Sequence, residues 1–272
     1  MRKWGIKVLM LFSLMLTALL PSGVRPAFAA AVSVSQTGNV VTASNVDITV
    51  TYDLSTGKGT FAAGATTLIQ DFYSDYALHG SATRYKSTDS AVRTASWASI
   101  GTDGYGSNGQ LLTITNALAS GPTLTLRIAM YEDRSYVIAD MTVSSASPLT
   151  IDFLEPIAAN NLDIGSGTDK RIYTTPYTNN YDFGVAPVHD FGYSQNGDDR
   201  PYGQPESWSP FSGRSYWVAA MFDDASKKGV VAGAATTQKW KSMQHLAQAT
   251  SANGPLTGFS VYNAGGKMSG TS

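Results

Sequence analysis

The segment from Tyr173 to Trp217 holds the densest group of side chains in this chain that could do chemistry. Its 45 positions contain 11 of the 29 aromatic residues, together with five acids and five prolines. Aromatic faces stack on the C–H faces of sugar rings, and carboxylates accept hydrogen bonds from sugar hydroxyls. Because long loops of this composition are commonly binding surfaces, the segment predicts a carbohydrate site.

The acids of this segment do not by themselves predict catalysis. Glycoside hydrolysis uses two carboxyl groups about 5 to 9 Å apart, one as acid and one as base or nucleophile. Asp198 and Asp199 are adjacent in the sequence, so on an extended chain they point to opposite sides. The run Asn196-Gly197-Asp198 is also typical of a turn. We therefore assign no catalytic residue.

Metal and serine chemistry have no recognisable pattern here. The three histidines, His79, His189 and His245, are far apart and lack the i, i+4 spacing of many zinc sites. The sequence contains no cysteine and no Gly-x-Ser-x-Gly motif, so neither a thiolate site nor a serine nucleophile is indicated. The sequence predicts neither a bound metal nor another cofactor.

The first 30 residues have the order of a secretory signal peptide. Basic residues occur within the first seven positions, an apolar run extends from Val8 to Leu20, and small residues follow from Ala27 to Ala31. The apolar run has 13 residues, whereas a membrane-spanning helix needs about 20. We expect cleavage near Ala29 to Ala31 and a secreted mature protein, residues 31–272, without a membrane segment.

The charge balance excludes one large class of partner. The formal net charge is −1 and only 14% of the residues are charged, so there is no basic surface to neutralise phosphates. Nucleic acid is therefore not expected as a partner. Without cysteine there is no disulfide, and the fold must be stabilised by packing and strand pairing.

Composition and alternation predict an all-β fold. Glutamate occurs only three times, whereas Thr, Ser, Val, Tyr and Gly are abundant, which favours strands over helices. Apolar and polar residues alternate in the ranges 32–35, 46–52, 112–115 and 124–128. Further strands are predicted at 136–143, 149–153, 215–222, 229–235 and 256–262, with a hairpin turn at 223–226. The range 239–249 fits a helix or a strand equally well. Together these short strands predict a large antiparallel β-sandwich.

The last residues are rich in turn formers. The range 265–272 would normally introduce another strand, so the sandwich domain is expected to be incomplete at its C-terminus. An ordinary frayed terminus is the alternative.

Four runs give the sequence a family resemblance: NNYDFGVAPV at 179–188, SWSPF at 207–211, SYWVAA at 215–220 and TQKWKS at 237–242. They resemble the N-terminal region of secreted bacterial α-galactosidases of the melibiase group. The resemblance implies a β-supersandwich of the galactose-mutarotase type, which in that family precedes a catalytic (β/α)₈ barrel. The two catalytic aspartates of the family lie in the barrel, and no position of this chain matches them.

The resemblance also gives the aromatic segment a place and a role. It implies that residues 173–217 lean over the mouth of a barrel that this chain lacks and help to shape a sugar pocket. The candidates for substrate contact are then Asp182, Asp198, Arg200, Tyr202 and Trp208. Charged groups would bind hydroxyls, and aromatic rings would stack on a sugar face.

Three functional hypotheses remain open at this point. The first is a non-catalytic domain of an exported α-galactosidase-like enzyme, with galactosides or plant polysaccharide and the missing barrel as its partners. The second is an independent carbohydrate-binding module with Tyr193, Tyr202 and Trp208 as its stacking platform. The third is a self-sufficient β-sandwich glycosidase or lyase that uses acids of the aromatic segment.

Overall fold

The chain folds into antiparallel β-sheets. A computed structural model describes residues 31–119, 121–174, 184–187, 212–235, 241–247 and 253–270. Within these ranges there are strands and one turn of 3-10 helix, Ser87–Asp89, but no α-helix. The strands are β1 Ser33–Thr37, β2 Val40–Ser44, β3 Ile48–Asp53, β4 Lys58–Ala63, β5 Thr66–Leu78, β6 Arg84–Lys86, β7 Val92–Ile100, β8 Gly109–Ala117, β9 Thr123–Tyr131, β10 Val137–Ser144, β11 Leu149–Ala159, β12 Lys170–Thr174, β13 Gly184–Pro187, β14 Ser212–Tyr216, β15 Val218–Asp223, β16 Lys228–Gly233, β17 Lys241–Ala247 and β18 Phe259–Gly270.

Three sheets make up the sandwich. The largest has ten strands in the order β1-β2-β3-β4-β5-β11-β18-β17-β14, with β6 paired to β5. Two four-stranded sheets have the orders β10-β9-β8-β7 and β13-β12-β15-β16. One hydrophobic cluster joins side chains of all three sheets, so both small sheets pack against the same face of the large one. The predicted all-β sandwich is confirmed.

Alternation explains which side chains fill this shared core. Along β3, Val50 and Tyr52 are fully buried, whereas the residues between and beside them are partly exposed. The large sheet also contributes Phe72, which stacks on Phe61 with ring centroids 4.6 Å apart. A Cβ on Gly59, opposite Phe72 in the register, would lie 2.4 Å from the Phe72 ring. Only glycine allows the ring to pack so closely against the neighbouring strand.

Most of the predicted strands are present, and two differ in an informative way. The range predicted as one strand at 215–222 is divided by Trp217, whose φ of 67° ends β14 and starts β15. The C-terminal run 265–270 was predicted to be a turn but continues β18. There, Gly270 pairs with Leu149 of β11, and this backbone ladder outweighs the turn propensity of the glycines. The ambiguous range 239–249 contains strand β17.

Some predictions fall on residues that lie outside the described ranges. These are the signal peptide at 1–30 and the sugar-contact candidates Asp182, Asp198, Arg200, Tyr202 and Trp208. No membrane-crossing helix, judged by length and hydropathy, occurs in the part of the chain that the structure describes.

Candidate functional site

The most unusual group of side chains lies on the outer face of the ten-stranded sheet, opposite the shared core. Alternation places it there: Tyr76 of β5 and Tyr85 of β6 pack into the core, so their neighbours Asp75 and Arg84 project to the other side. Glu155 of β11 is the direct cross-strand partner of Asp75. The topology therefore brings two acids and one arginine together on three adjacent strands.

The three side chains form an acid–arginine cluster, defined as Asp75, Arg84 and Glu155. Nη2 of Arg84 donates to Oδ1 of Asp75 at 2.6 Å and to Oε2 of Glu155 at 2.8 Å. Nε of Arg84 also donates to Oδ2 of Asp75 at 3.2 Å. A guanidinium that binds one carboxylate with two nitrogens is held in a fixed plane, so the cluster is rigid.

Burial changes the protonation of this cluster. The side chains of Asp75 and Glu155 are only 3% and 9% exposed, whereas that of Arg84 is 35% exposed. Burial, and then the charge of Asp75, raises the pKa of Glu155 from 4.5 to about 8, although a hydrogen bond from Ser260 and the charge of Arg84 act to lower it. Near neutral pH Glu155 therefore holds a proton.

An aromatic stack supports the arginine from one side. The guanidinium carbon of Arg84 lies 3.5 Å from the centroid of the Phe153 ring, which is cation–π geometry. Phe153 in turn stacks on Tyr262 of β18, with centroids 5.0 Å apart. The Tyr262 hydroxyl reaches Sδ of Met243 at 3.7 Å. The charged groups on β6, β5 and β11 thus lie next to a pair of stacked rings on β11 and β18.

The geometry of the acid pair limits what it can do. The two carboxyl groups are bound by the same arginine nitrogen, Nη2 of Arg84. Retaining glycosidases hold their two carboxyls about 5 to 5.5 Å apart and inverting ones further, because sugar or water must fit between them. Here the guanidinium of Arg84 contacts both carboxyls and takes up that space, so this pair does not match a hydrolytic site. Among the described residues, no group of three or more acids or histidines is placed to hold a metal ion.

Glu155→Gln is expected to change the pH dependence of stability. Between about pH 4.5 and 8 the folded protein holds a proton on Glu155 that the unfolded chain releases, so the free energy of unfolding falls as pH rises through this window. Glutamine copies the protonated form and cannot ionise. The variant should match the parent at pH 5 and be more stable by on the order of 1 to 3 kcal/mol at pH 9.

Urea unfolding of parent and variant at several pH values measures this difference. The control is Glu132→Gln, because the Glu132 carboxylate lies on the loop after β9 and accepts a hydrogen bond from Asn108. In this control the free energy of unfolding should change with pH as it does in the parent. If the free energy of unfolding of Glu155→Gln also changes with pH as in the parent, Glu155 is ionised in the folded state.

Sequence reasoning missed this cluster. Asp75 and Glu155 are 80 positions apart, and neither belongs to a motif. One signal was present: Glu155 is one of three glutamates in the chain and lies in the apolar stretch LTIDFLEPIAA of β11. An acid within a buried strand needs a partner, which could have drawn attention to it.

Two tryptophans outside the candidate set are exposed in the structure. Trp97 is 42% exposed on β7, and Trp217, between β14 and β15, is 54% exposed. Only the backbone of Tyr216 is described, at the end of β14.

Comparison with known proteins gives a structural match but no sequence match. No protein-family model and no curated protein matches the sequence. Two solved structures of the α-N-acetylgalactosaminidase NagBb from Bifidobacterium bifidum, a quadruple mutant and a GalNAc complex, are similar in fold. Each is 12% identical, has a TM-score of 0.50 and covers 85% of this chain. The chain corresponds to only 33% of the length of that enzyme.

Proposed function

We propose that this chain is the non-catalytic, carbohydrate-associated β-sandwich domain of an exported glycoside hydrolase of the α-galactosidase type. The observation that carries the proposal is the fold, which is shared with one third of an enzyme that acts on α-N-acetylgalactosaminides. The family resemblance of the sequence supports the same class. The catalytic residues would lie in a separate barrel domain.

The acid–arginine cluster supports a non-catalytic role for the described part of the sandwich. Burial raises the pKa of Glu155 to about 8, yet its carboxyl and that of Asp75 are both bound by Arg84. Such a pair suits a rigid scaffold better than bond cleavage, because neither oxygen is placed to reach a glycosidic bond. In this proposal the cluster fixes the relative positions of β5, β6 and β11.

The aromatic segment at 173–217 supplies the sugar contacts in this proposal. Asp182, Asp198 and Arg200 would bind hydroxyls, while Tyr202 and Trp208 would stack on a sugar ring. An accessory domain holds only part of a sugar pocket, so its affinity alone should be very weak. The N-terminal signal sequence at 1–30 would direct the protein out of the cell.

One experiment on the purified secreted chain tests this function. Nitrophenyl α-galactoside and nitrophenyl α-N-acetylgalactosaminide are assayed for release of nitrophenol, and galactosides and plant galactomannan are titrated calorimetrically. We expect no turnover and very weak binding. Turnover that is abolished by Asp182→Asn or Asp198→Asn would overturn the proposal in favour of a self-sufficient β-sandwich enzyme.

The same titration distinguishes an independent binding module. The dense group of aromatics at 173–217 favours this second candidate, for which binding should be readily measurable and fall at least tenfold in Trp208→Ala, a loss of about 1.4 kcal/mol or more. Trp97→Ala is the matched control, because Trp97 is an exposed tryptophan on β7. Equal losses in both variants would indicate nonspecific stacking.

A further inference from the structure

Strand β7 is a long edge of the first four-stranded sheet. Within the described residues it pairs only with β8, over all nine of its positions from Val92 opposite Ala117 to Ile100 opposite Gly109. Among the edge strands that the structure describes it is the longest, since β10 has eight residues and the others have six or fewer. Alternate N–H and C=O groups of an edge strand point away from its sheet. Strand β7 therefore presents a row of backbone donors and acceptors about 30 Å long.

This edge lacks the features that usually prevent an edge strand from pairing. Such strands are commonly protected by charged side chains, proline or a β-bulge. The sequence VRTASWASI of β7 contains no proline and no acid, and its pairing with β8 has no register shift. Its one charged residue, Arg93, makes four hydrogen bonds of 2.7 to 3.3 Å to backbone carbonyls of residues 54, 55, 87 and 88. By contrast, the edge strand β10 carries Asp140 and the edge strand β16 begins with Lys228.

Large apolar side chains are exposed on both faces of β7. Trp97 lies directly opposite Leu112, which is buried, so Trp97 is on the face of the sheet that carries the core. It is nevertheless 42% exposed, because the core ends at this edge. On the other face of the strand, Val92 is 58% exposed. One further strand added to the edge would cover part of both side chains.

The sequence of β7 is complementary to itself in the antiparallel direction. A two-fold axis perpendicular to the sheet at Ser96, the central residue of the strand, would place each Ser96 opposite its own copy. The large ring of Trp97 would then lie opposite the small Ala95 of the second copy, and Val92 would lie opposite Ile100. The remaining cross-strand pairs would be Thr94 with Ala98 and Arg93 with Ser99. Like charges are opposed at no position, and residues of one face meet residues of the same face.

We propose that β7 pairs antiparallel with β7 of a second copy of this chain, so that two four-stranded sheets become one eight-stranded sheet across a symmetric dimer. The backbone edge calls for a strand, and the self-complementary sequence selects a copy of the same strand. The inference goes beyond the accessory role, because it gives the sandwich a surface for self-association. Strands β13 and β14, which lie in the aromatic segment at 173–217, belong to the other two sheets. Dimerisation and sugar binding can therefore succeed or fail separately.

Sedimentation equilibrium of the full secreted chain tests this dimer. We expect a monomer–dimer equilibrium with a Kd on the order of 10 μM, because a ladder of nine residues is a small interface. Ser96→Lys, at an exposed position, would place two ammonium groups opposite each other at the axis and should weaken the dimer at least tenfold. Ser35→Lys is the matched control, because Ser35 is an exposed serine on the edge strand β1, and it should leave the Kd unchanged.

Cross-linking tests the register and does not depend on the folding of Ser96→Lys. The chain has no cysteine, so Ser96→Cys introduces a single thiol, which in the proposed dimer faces its own copy. Mild oxidation should convert this variant to a disulfide-linked dimer, whereas Ser35→Cys should stay largely monomeric. A chain that remains monomeric far above the expected Kd would overturn the inference. So would a dimer that Ser96→Lys does not weaken, one that Ser35→Lys weakens equally, or equal cross-linking of the two cysteine variants.

Discussion

Arg84→Ala is expected to lower the free energy of unfolding by about 2 to 4 kcal/mol at pH 7. The substitution leaves Asp75 and Glu155 buried without the guanidinium that both of them contact, and removing one partner of a buried ion pair strands the other charge in a medium of low dielectric constant. Loss of the cation–π contact with Phe153 adds to the effect. The expected loss is at the lower end for a buried pair, because Arg84 is itself 35% exposed and Glu155 holds a proton near neutral pH.

Two comparisons make this result specific to the cluster. The loss should grow between pH 7 and 9, because ionisation of Glu155 adds a second unpaired charge, and Glu155→Gln should recover part of it. Arg127→Ala is the matched control: its ion pair with Asp140 is 45% and 49% exposed, so we expect less than about 1 kcal/mol. Similar losses from both substitutions in urea unfolding would show that the acid pair is not buried.

Phe72→Ala is expected to destabilise the fold by about 3 to 5 kcal/mol. Phe72 is completely buried, stacks on Phe61 and contacts the ring of Tyr52 with centroids 6.1 Å apart. Its ring also lies over Gly59, which has no side chain to fill the space that alanine would leave. The cavity would lie in the core that joins the large sheet to the small ones.

The measurement is again urea unfolding, followed by tryptophan fluorescence. Val92→Ala is the control, because Val92 is 58% exposed on β7 and its truncation should cost less than about 0.5 kcal/mol. A loss below about 1 kcal/mol for Phe72→Ala would mean that the surrounding strands collapse into the cavity. In that case the core around Gly59 would be less rigid than its packing indicates.

The sequence predicts the strands well wherever alternation is strict. In β3, β8 and β9 apolar and polar residues alternate, and the apolar set faces the core in each case. The sequence also excludes disulfides and predicts no nucleic-acid partner, because both conclusions depend on composition alone. Prediction fails where pairing outweighs local preference, as in the glycine-containing end of β18 next to Leu149.

Local sequence by itself determines the all-β class, the aromatic segment at 173–217 and the absence of cysteine chemistry, because each follows from residue type and short-range spacing. Only the tertiary structure decides that Asp75 and Glu155 meet, and that the amide of Gln244 is buried without a hydrogen-bond partner in the described part of the chain. The reason is strand order: β5 pairs with β11 and β17 with β18 through backbone hydrogen bonds that carry no side-chain signature. Asp75 and Glu155, 80 positions apart, thus become cross-strand neighbours, and burial raises the pKa of Glu155 to about 8. No pattern along the sequence predicts that these two residues meet.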